Sequence, residues 1–178
     1  MNTLAAIAAR AAERNLPFLL AGGHAVIAHG HPRATFDIDL VIRRSERAAW
    51  VEMAAEMGFR FRSEGPTFLQ FDPPSNDMLP LDLMLVNDET FAKLAADAIP
   101  GQPEVSGVKI VSLLHLLALK CHAIRYGHRG RIVKDADDVI RLVQVHRLDV
   151  NRDDLRELFL KYGTEELYES LRRLCAED

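Results

Sequence analysis

The chain has 178 residues, enough for one compact domain or a domain with a small appendage, and enough to bury a core without staples. It is 48% hydrophobic and 27% charged, the balance expected of a soluble globular protein, and no apolar run is long enough to span a bilayer. A net charge of −4 argues against a general nucleic-acid coat, so an anionic partner must be met by a local basic patch.

Residues 3–14 suit an alanine-rich helix closed by Asn15 and Pro17; Arg10, Glu13 and Arg14 interrupt its apolar character, so it does not read as a signal peptide. Phe18 to Ala21 is a short apolar strand running into a Gly22-Gly23 turn, and residues 24–29 fit a short helix ended by Gly30 and Pro32. A strand over 36–42 follows, and Ser45 is expected to cap a helix from about 46 to 57. Residues 59–62 and 67–71 alternate apolar and polar residues, as half-buried antiparallel strands do, with Gly65-Pro66 as the turn. Residues 79–86 form another strand, and Asp88 is expected to cap a helix of roughly 89–97.

The second half changes character. A connector with Pro100, Gly101 and Pro103 leads to a short strand at 108–110, and Ser112 is expected to cap the helix LLHLLALKCHAIRY, which Gly127 stops. A basic loop, GHRGR, precedes helices near 134–146, 152–162 and 165–175. The expectation is an α+β fold: a small mixed or antiparallel sheet flanked by helices over residues 1–106, followed by a helical part, 107–178, packed on the same core. Cys121 and Cys175 follow no ligand spacing and read as packing residues of a reduced, cytoplasmic protein.

Within the strand FDIDLVI, side chains alternate faces, so Asp37 and Asp39 point the same way, with Cα atoms roughly 6.6 Å apart. Two such carboxylates can converge on one divalent ion, or on a pair about 3.5–4 Å apart. Aspartate is disfavoured in strands, and two on one face repel each other unless a cation or donor compensates. The alternative is a solvated edge salt-bridged to Arg33 or Arg43. A second apolar strand, LDLML, carries Asp82, a third oxygen ligand if the strands are neighbours; Asp72, Asp77 and Asp88 are rivals at turn-like positions. Gly22-Gly23, between a strand and a helix, suits close approach of a phosphate but alone is weak evidence.

Gly-Gly, a short helix, Arg33-x-Thr35-x-Asp37-x-Asp39 and a later strand aspartate at 82 together resemble the nucleotidyltransferase superfamily with the DNA polymerase β-like fold. The segment GGHAVIAHGHPRATFDIDLVI looks most like the AbiEii/AbiGii-type small bacterial proteins, which include toxins of toxin–antitoxin systems. Lys120, then Lys134-Asp135 and Asp138 in KDADDV, match those proteins' helical lysine and Arg/Lys-Asp-x-x-Asp segment. Residues 151–178 carry no motif.

The resemblance implies that Asp37, Asp39 and Asp82 are catalytic and hold two Mg²⁺ ions, with Mn²⁺ an alternative. It implies that Gly22 and Gly23 cradle the triphosphate of a nucleoside triphosphate (NTP), that Lys120 reaches the phosphates, and that Arg33 and Thr35 order the loop before the carboxylates. Asp135 would contact Lys120 or the nucleotide. His24 stands where many superfamily members have serine; it either donates to a phosphate or is simply a partly exposed histidine. The basic stretch RYGHRGRIVK contacts the triphosphate or an RNA acceptor, or is a solvated loop; Arg125 is its best-placed member.

The implied activity is Mg²⁺-dependent transfer of a nucleoside monophosphate to an acceptor hydroxyl on RNA such as tRNA, on protein or on a small molecule. An antitoxin protein would be a further partner, and no membrane is involved. The alternative is a catalytically silent nucleotide-binding or partner-binding domain on the same scaffold.

Overall fold

The computed structural model describes residues 2–101, 107–127 and 129–176, with the side chains of 129–131, 175 and 176 left out. Pro103, His128 and the side chains of Arg129, Arg131 and Cys175 therefore lie outside the described residues. The chain forms two compact units, residues 1–28 with 33–112 and residues 29–32 with 113–178.

The first unit is built on a sheet of seven strands among the described residues, in the order β3-β4-β5-β2-β1-β7-β6. The strands are β1 Leu19–Leu20, β2 Ile38–Arg43, β3 Arg60–Gly65, β4 Phe68–Asp72, β5 Leu81–Val86, β6 Ile99–Pro100 and β7 Lys109–Ile110. β2 runs parallel to β5, as β1 does to β7, while β1–β2, β3–β4, β4–β5 and β6–β7 are antiparallel, so the sheet is mixed. Its helices are α1 Thr3–Glu13, α2 Gly22–Ala28, α3 Arg47–Glu56 and α4 Asp88–Ala96.

The register explains the hydrophobic pattern. Ile38, Leu40 and Ile42 stand opposite Leu81, Leu83 and Leu85, while Leu83 and Leu81 stand opposite Leu69 and Phe71 on the other side. All eight are buried, so alternate positions of three adjacent strands make one continuous apolar face. Fully burying side chains of this kind contributes about 1.5–3 kcal/mol each. The intervening positions, Asp39, Asp82 and Gln70, point to the opposite face as one polar row. Ile7, Trp50 and Met53 complete the core, with Phe18 edge-on to Trp50 at 5.8 Å.

Local signals were shifted in several places. Asp37 precedes β2 rather than lying in it. Gly22 and Gly23 belong to the first turn of α2, with Gly22 in the left-handed region at φ +55°. Ser45 does not cap α3; it sits in a 3-10 turn, Arg44–Glu46, and donates to Asp88 at 2.7 Å. Asn87, not Asp88, caps α4, its side chain accepting from the Thr90 N–H at 2.7 Å. With Asp88 inside the first turn, its charge faces the positive end of the helix dipole.

The second unit is helical: α5 Leu113–Tyr126, α6 Arg129–Val145, α7 Asp153–Tyr162 and α8 Glu165–Ala176. Helix α6 starts at Arg129, so the last three residues of GHRGR continue a helix rather than a loop. Leu116, Leu117, Cys121, Val139, Leu142, Phe159 and Leu171 form its core. His122, by contrast, is exposed and packs on Tyr126. Among the described residues no helix is long and apolar enough to cross a membrane.

Candidate active site

The site sits where β2 and β5 run side by side. Asp39 is the register partner of Asp82, and Asp37 lies just before β2. Each of the three offers a carboxylate oxygen within 4.8 Å of the others. All three are half-buried, and the rivals Asp72, Asp77 and Asp88 do not join them. An all-oxygen, three-carboxylate set of this size suits a hard divalent cation such as Mg²⁺ or Mn²⁺, whose charge would offset the repulsion among the carboxylates.

The chain before β2 is shaped around these carboxylates. The Thr35 hydroxyl donates to Asp37 Oδ1 at 3.1 Å, and the Arg33 guanidinium donates to the Ala34 carbonyl at 2.8 Å. The Ala21 N–H donates to the Asp39 carbonyl at 2.9 Å, tying the end of β1 to the aspartate.

Gly22 and Gly23 owe their identity to this packing. A Cβ on Gly22 would lie 1.7 Å from Asp39 Oδ2, and one on Gly23 would lie 2.2 Å from Thr35 Oγ1 and 3.0 Å from an Arg33 nitrogen. Only glycine lets the first turn of α2 close onto the carboxylate loop, and only glycine adopts the φ of Gly22 without strain. The Gly-Gly pair therefore serves the carboxylates directly, whatever it does for a phosphate.

His24 is half-buried, and its Nε2 is shielded from solvent without a hydrogen-bond partner among the described residues. Burial lowers its pKa, with Asp37 opposing and Arg33 reinforcing the shift, which favours the neutral ring.

On the polar face, Asp82 Oδ2 accepts from Gln70 Nε2 at 2.8 Å, and Arg62 lies 3.5 Å from Asp82 and from Asp72. Neither Gln70 nor Arg62 is singled out by the sequence: Gln70 reads as one polar position of an alternating strand, and Arg62 as a surface charge.

The second unit places Lys120, Asp135 and Asp138 together. Lys120 Nζ lies 2.6 Å from Asp135 and 2.7 Å from Asp138, and all three side chains are buried. Asp138 is the most deeply enclosed, and its spacing three residues after Asp135 on one helix face was the available signal. Arg125 donates to the Lys161 carbonyl at 2.6 Å and is exposed.

A model of the family described as "Nucleotidyl transferase AbiEii toxin, Type IV TA system" matches residues 4–176. The chain belongs to this family. It is accordingly a nucleotidyltransferase. Comparison with curated protein sequences gives no match. Solved structures share the AbiEii protein's fold. ANT(2")-Ia in complex with adenylyl-2"-tobramycin aligns with a TM-score of 0.59 at 20% identity, covering 93% of this chain and 92% of that one. The lincosamide antibiotic adenylyltransferase LnuA, lincomycin-bound, gives 0.58 at 14% identity over 80% and 96% of the two chains. An antigenic nucleotidyltransferase-like protein from Paracoccidioides brasiliensis gives 0.55 at 20% identity over 98% and 86%.

Proposed function

We propose that this AbiEii-family protein transfers a nucleoside monophosphate from an NTP to an acceptor hydroxyl in a Mg²⁺-dependent reaction, and that Asp37, Asp39 and Asp82 are its catalytic centre. The observation that carries the reading is the convergence of these three carboxylates from two segments about forty residues apart in sequence onto one point of the sheet. Nothing in the packing of the fold needs three mutually repelling charges there.

Asp37, Asp39 and Asp82 would hold the metal. When bound, a divalent ion neutralises charge on the α-phosphate and lowers the pKa of the acceptor hydroxyl. The chain's own residues do the rest. Asp82, the carboxylate contributed by β5, would be the base that takes the hydroxyl proton. The acceptor oxygen bonds to the α-phosphorus, the bond to the bridging oxygen breaks, and pyrophosphate leaves with that electron pair. Thr35 orients Asp37 through its hydroxyl, and Gly22 and Gly23 let the backbone approach both carboxylate and triphosphate. Arg33, in the loop before β2, and His24, in the first turn of α2, lie close enough to interact, and a cation and a ring N–H suit a phosphate oxygen.

The acceptor class follows from the chemistry only as a hydroxyl, on RNA, protein or a small molecule. The adenylyl-tobramycin in the ANT(2")-Ia structure and the lincomycin bound to LnuA make a small-molecule hydroxyl worth testing beside tRNA. The family description supports a toxin restrained by an antitoxin protein.

Incubation with α-labelled NTPs and cell lysate, read separately for RNA, protein and small molecules, tests the transfer. Label is expected to require Mg²⁺ and to disappear with Asp37→Asn and Asp39→Asn. Label retained by both variants would sink the site. A thermal shift with NTP that ignores Mg²⁺ would favour a silent binding domain instead. Growth arrest on expression, relieved by a neighbouring gene product, tests the toxin role.

A further inference from the structure

Four adjacent strands each give one side chain to a single row across the polar face. Asp39 on β2 is opposite Asp82 on β5, Asp82 is opposite Gln70 on β4, and Gln70 is opposite Ser63 on β3. The proposed reaction uses the first two and gives no role to the others.

The contacts along the row have a direction. An ionised carboxylate only accepts hydrogen bonds, so Gln70 presents Nε2 to Asp82 Oδ2 at 2.8 Å. That leaves Gln70 Oε1 to accept from the Ser63 hydroxyl, also at 2.8 Å. Ser63 thereby fixes which end of the Gln70 amide faces the carboxylate. Without it, the amide gains a competing orientation that sets oxygen against oxygen.

The backbone of β3 is adapted to deliver Ser63. Phe61 pairs with Phe71, but the next pair is Ser63 with Gln70, so Arg62 is an extra residue in a β-bulge. In unbroken alternation Phe61 and Ser63 would share a face. The bulge shifts the phase, so Phe61 packs edge-on to Phe71 at 5.8 Å while Ser63 reaches Gln70 on the other side. It also aims Arg62 at Asp72 and Asp82.

We propose that Ser63 and Gln70 are positioning residues for Asp82, set in phase by the bulge at Arg62, and that they hold its carboxylate in the three-carboxylate cluster. The inference rests on the reading of Asp82 as a metal ligand. Groups that hold a ligand's far side commonly contribute 10–100-fold to metal affinity.

The test is Mn²⁺ titration of the full chain, followed by electron paramagnetic resonance, with thermal unfolding in EDTA as the folding control. Gln70→Leu is expected to weaken Mn²⁺ by roughly ten-fold or more. Ser63→Ala, at the half-buried sheet edge, is expected to weaken it by a smaller factor, and Ser63→Thr to restore wild-type binding by keeping the hydroxyl. Asp82→Asn should weaken Mn²⁺ most. Wild-type affinity in Gln70→Leu and Ser63→Ala beside loss in Asp82→Asn overturns the positioning role and leaves the metal reading standing. Equal weakening by Ser63→Ala and Ser63→Thr also overturns it, since a merely structural role would not distinguish a retained hydroxyl. Wild-type affinity in Asp82→Asn, or no Mn²⁺ binding by the wild type, overturns the metal reading and this inference with it.

Discussion

Asp39 and Asp82 face each other directly across the parallel pair β2–β5. Adjacent strands lie about 4.8 Å apart, so two ionised carboxylates in register repel unless a cation intervenes. Asp37 adds a third negative charge, against which Arg62 at 3.5 Å from Asp82 is a partial counterweight. Asp39→Asn is therefore expected to raise the unfolding temperature in EDTA. Relief of about 1 kcal/mol corresponds to about 2–4 °C at this size. The same variant should lose nucleotidyl transfer and the Mg²⁺-dependent stabilisation of the wild type. Differential scanning fluorimetry with and without Mg²⁺ reads both effects.

Gly22→Ala should damage the site more than the fold. Its Cβ would meet Asp39 Oδ2 at 1.7 Å, and its backbone sits at φ +55°. The left-handed conformation alone costs about 1–2 kcal/mol for a residue with a Cβ. Displacement of Asp39 should then abolish Mn²⁺ binding in a chain that still unfolds cooperatively, as circular dichroism alongside metal titration would show.

In the second unit, Lys120→Met leaves Asp135 and Asp138 facing each other in a buried setting with their shared cation gone. Breaking a buried ion pair from one side costs about 3–5 kcal/mol. Asp135→Asn should cost less, since Lys120 keeps Asp138. Urea unfolding of the two variants should rank them in that order.

Cys121 is buried beneath the same cluster, and burial, with Asp135 adding to it, pushes its thiol up to about 12. In a Cys175→Ser background, the native chain should resist a thiol reagent at pH 8 and react only on unfolding. Because the folded pKa is raised above the thiol's ordinary value of 9.0, the linked stability is fully present below about pH 9 and is lost as pH rises toward 12. Cys121→Ala should show a shallower decline over that window.

The sequence made the fold class legible because the apolar pattern was strong: LDLML and IDLVI could hardly be anything but strands. It made the carboxylates legible for the opposite reason, since aspartate in such strands violates propensity and begs a cause. What it hid was phase and pairing. The bulge at Arg62 leaves no mark in RFRSEG, because its origin is the need to pair Phe61 with Phe71 and Ser63 with Gln70 at once. The caps of α3 and α4 were each misplaced by one residue because Ser45, Asn87 and Asp88 all have cap chemistry, and tertiary contact between Ser45 and Asp88 chose among them. The role of the glycines was half legible: a turn was evident, a contact with Asp39 was not.

The parallel pairing of β2 and β5 has a kinetic side. Parallel neighbours cannot be joined by a tight hairpin, and here β3, β4 and α3 intervene between them. Asp39 and Asp82 become neighbours only when that long loop closes, a slow, non-local event. A ribosome-bound chain lacking β5 would carry Asp37 and Asp39 but no third carboxylate. The reactive centre thus comes into being late, as a property of the assembled sheet, and a metal ion added during refolding would report the moment that β5 docks.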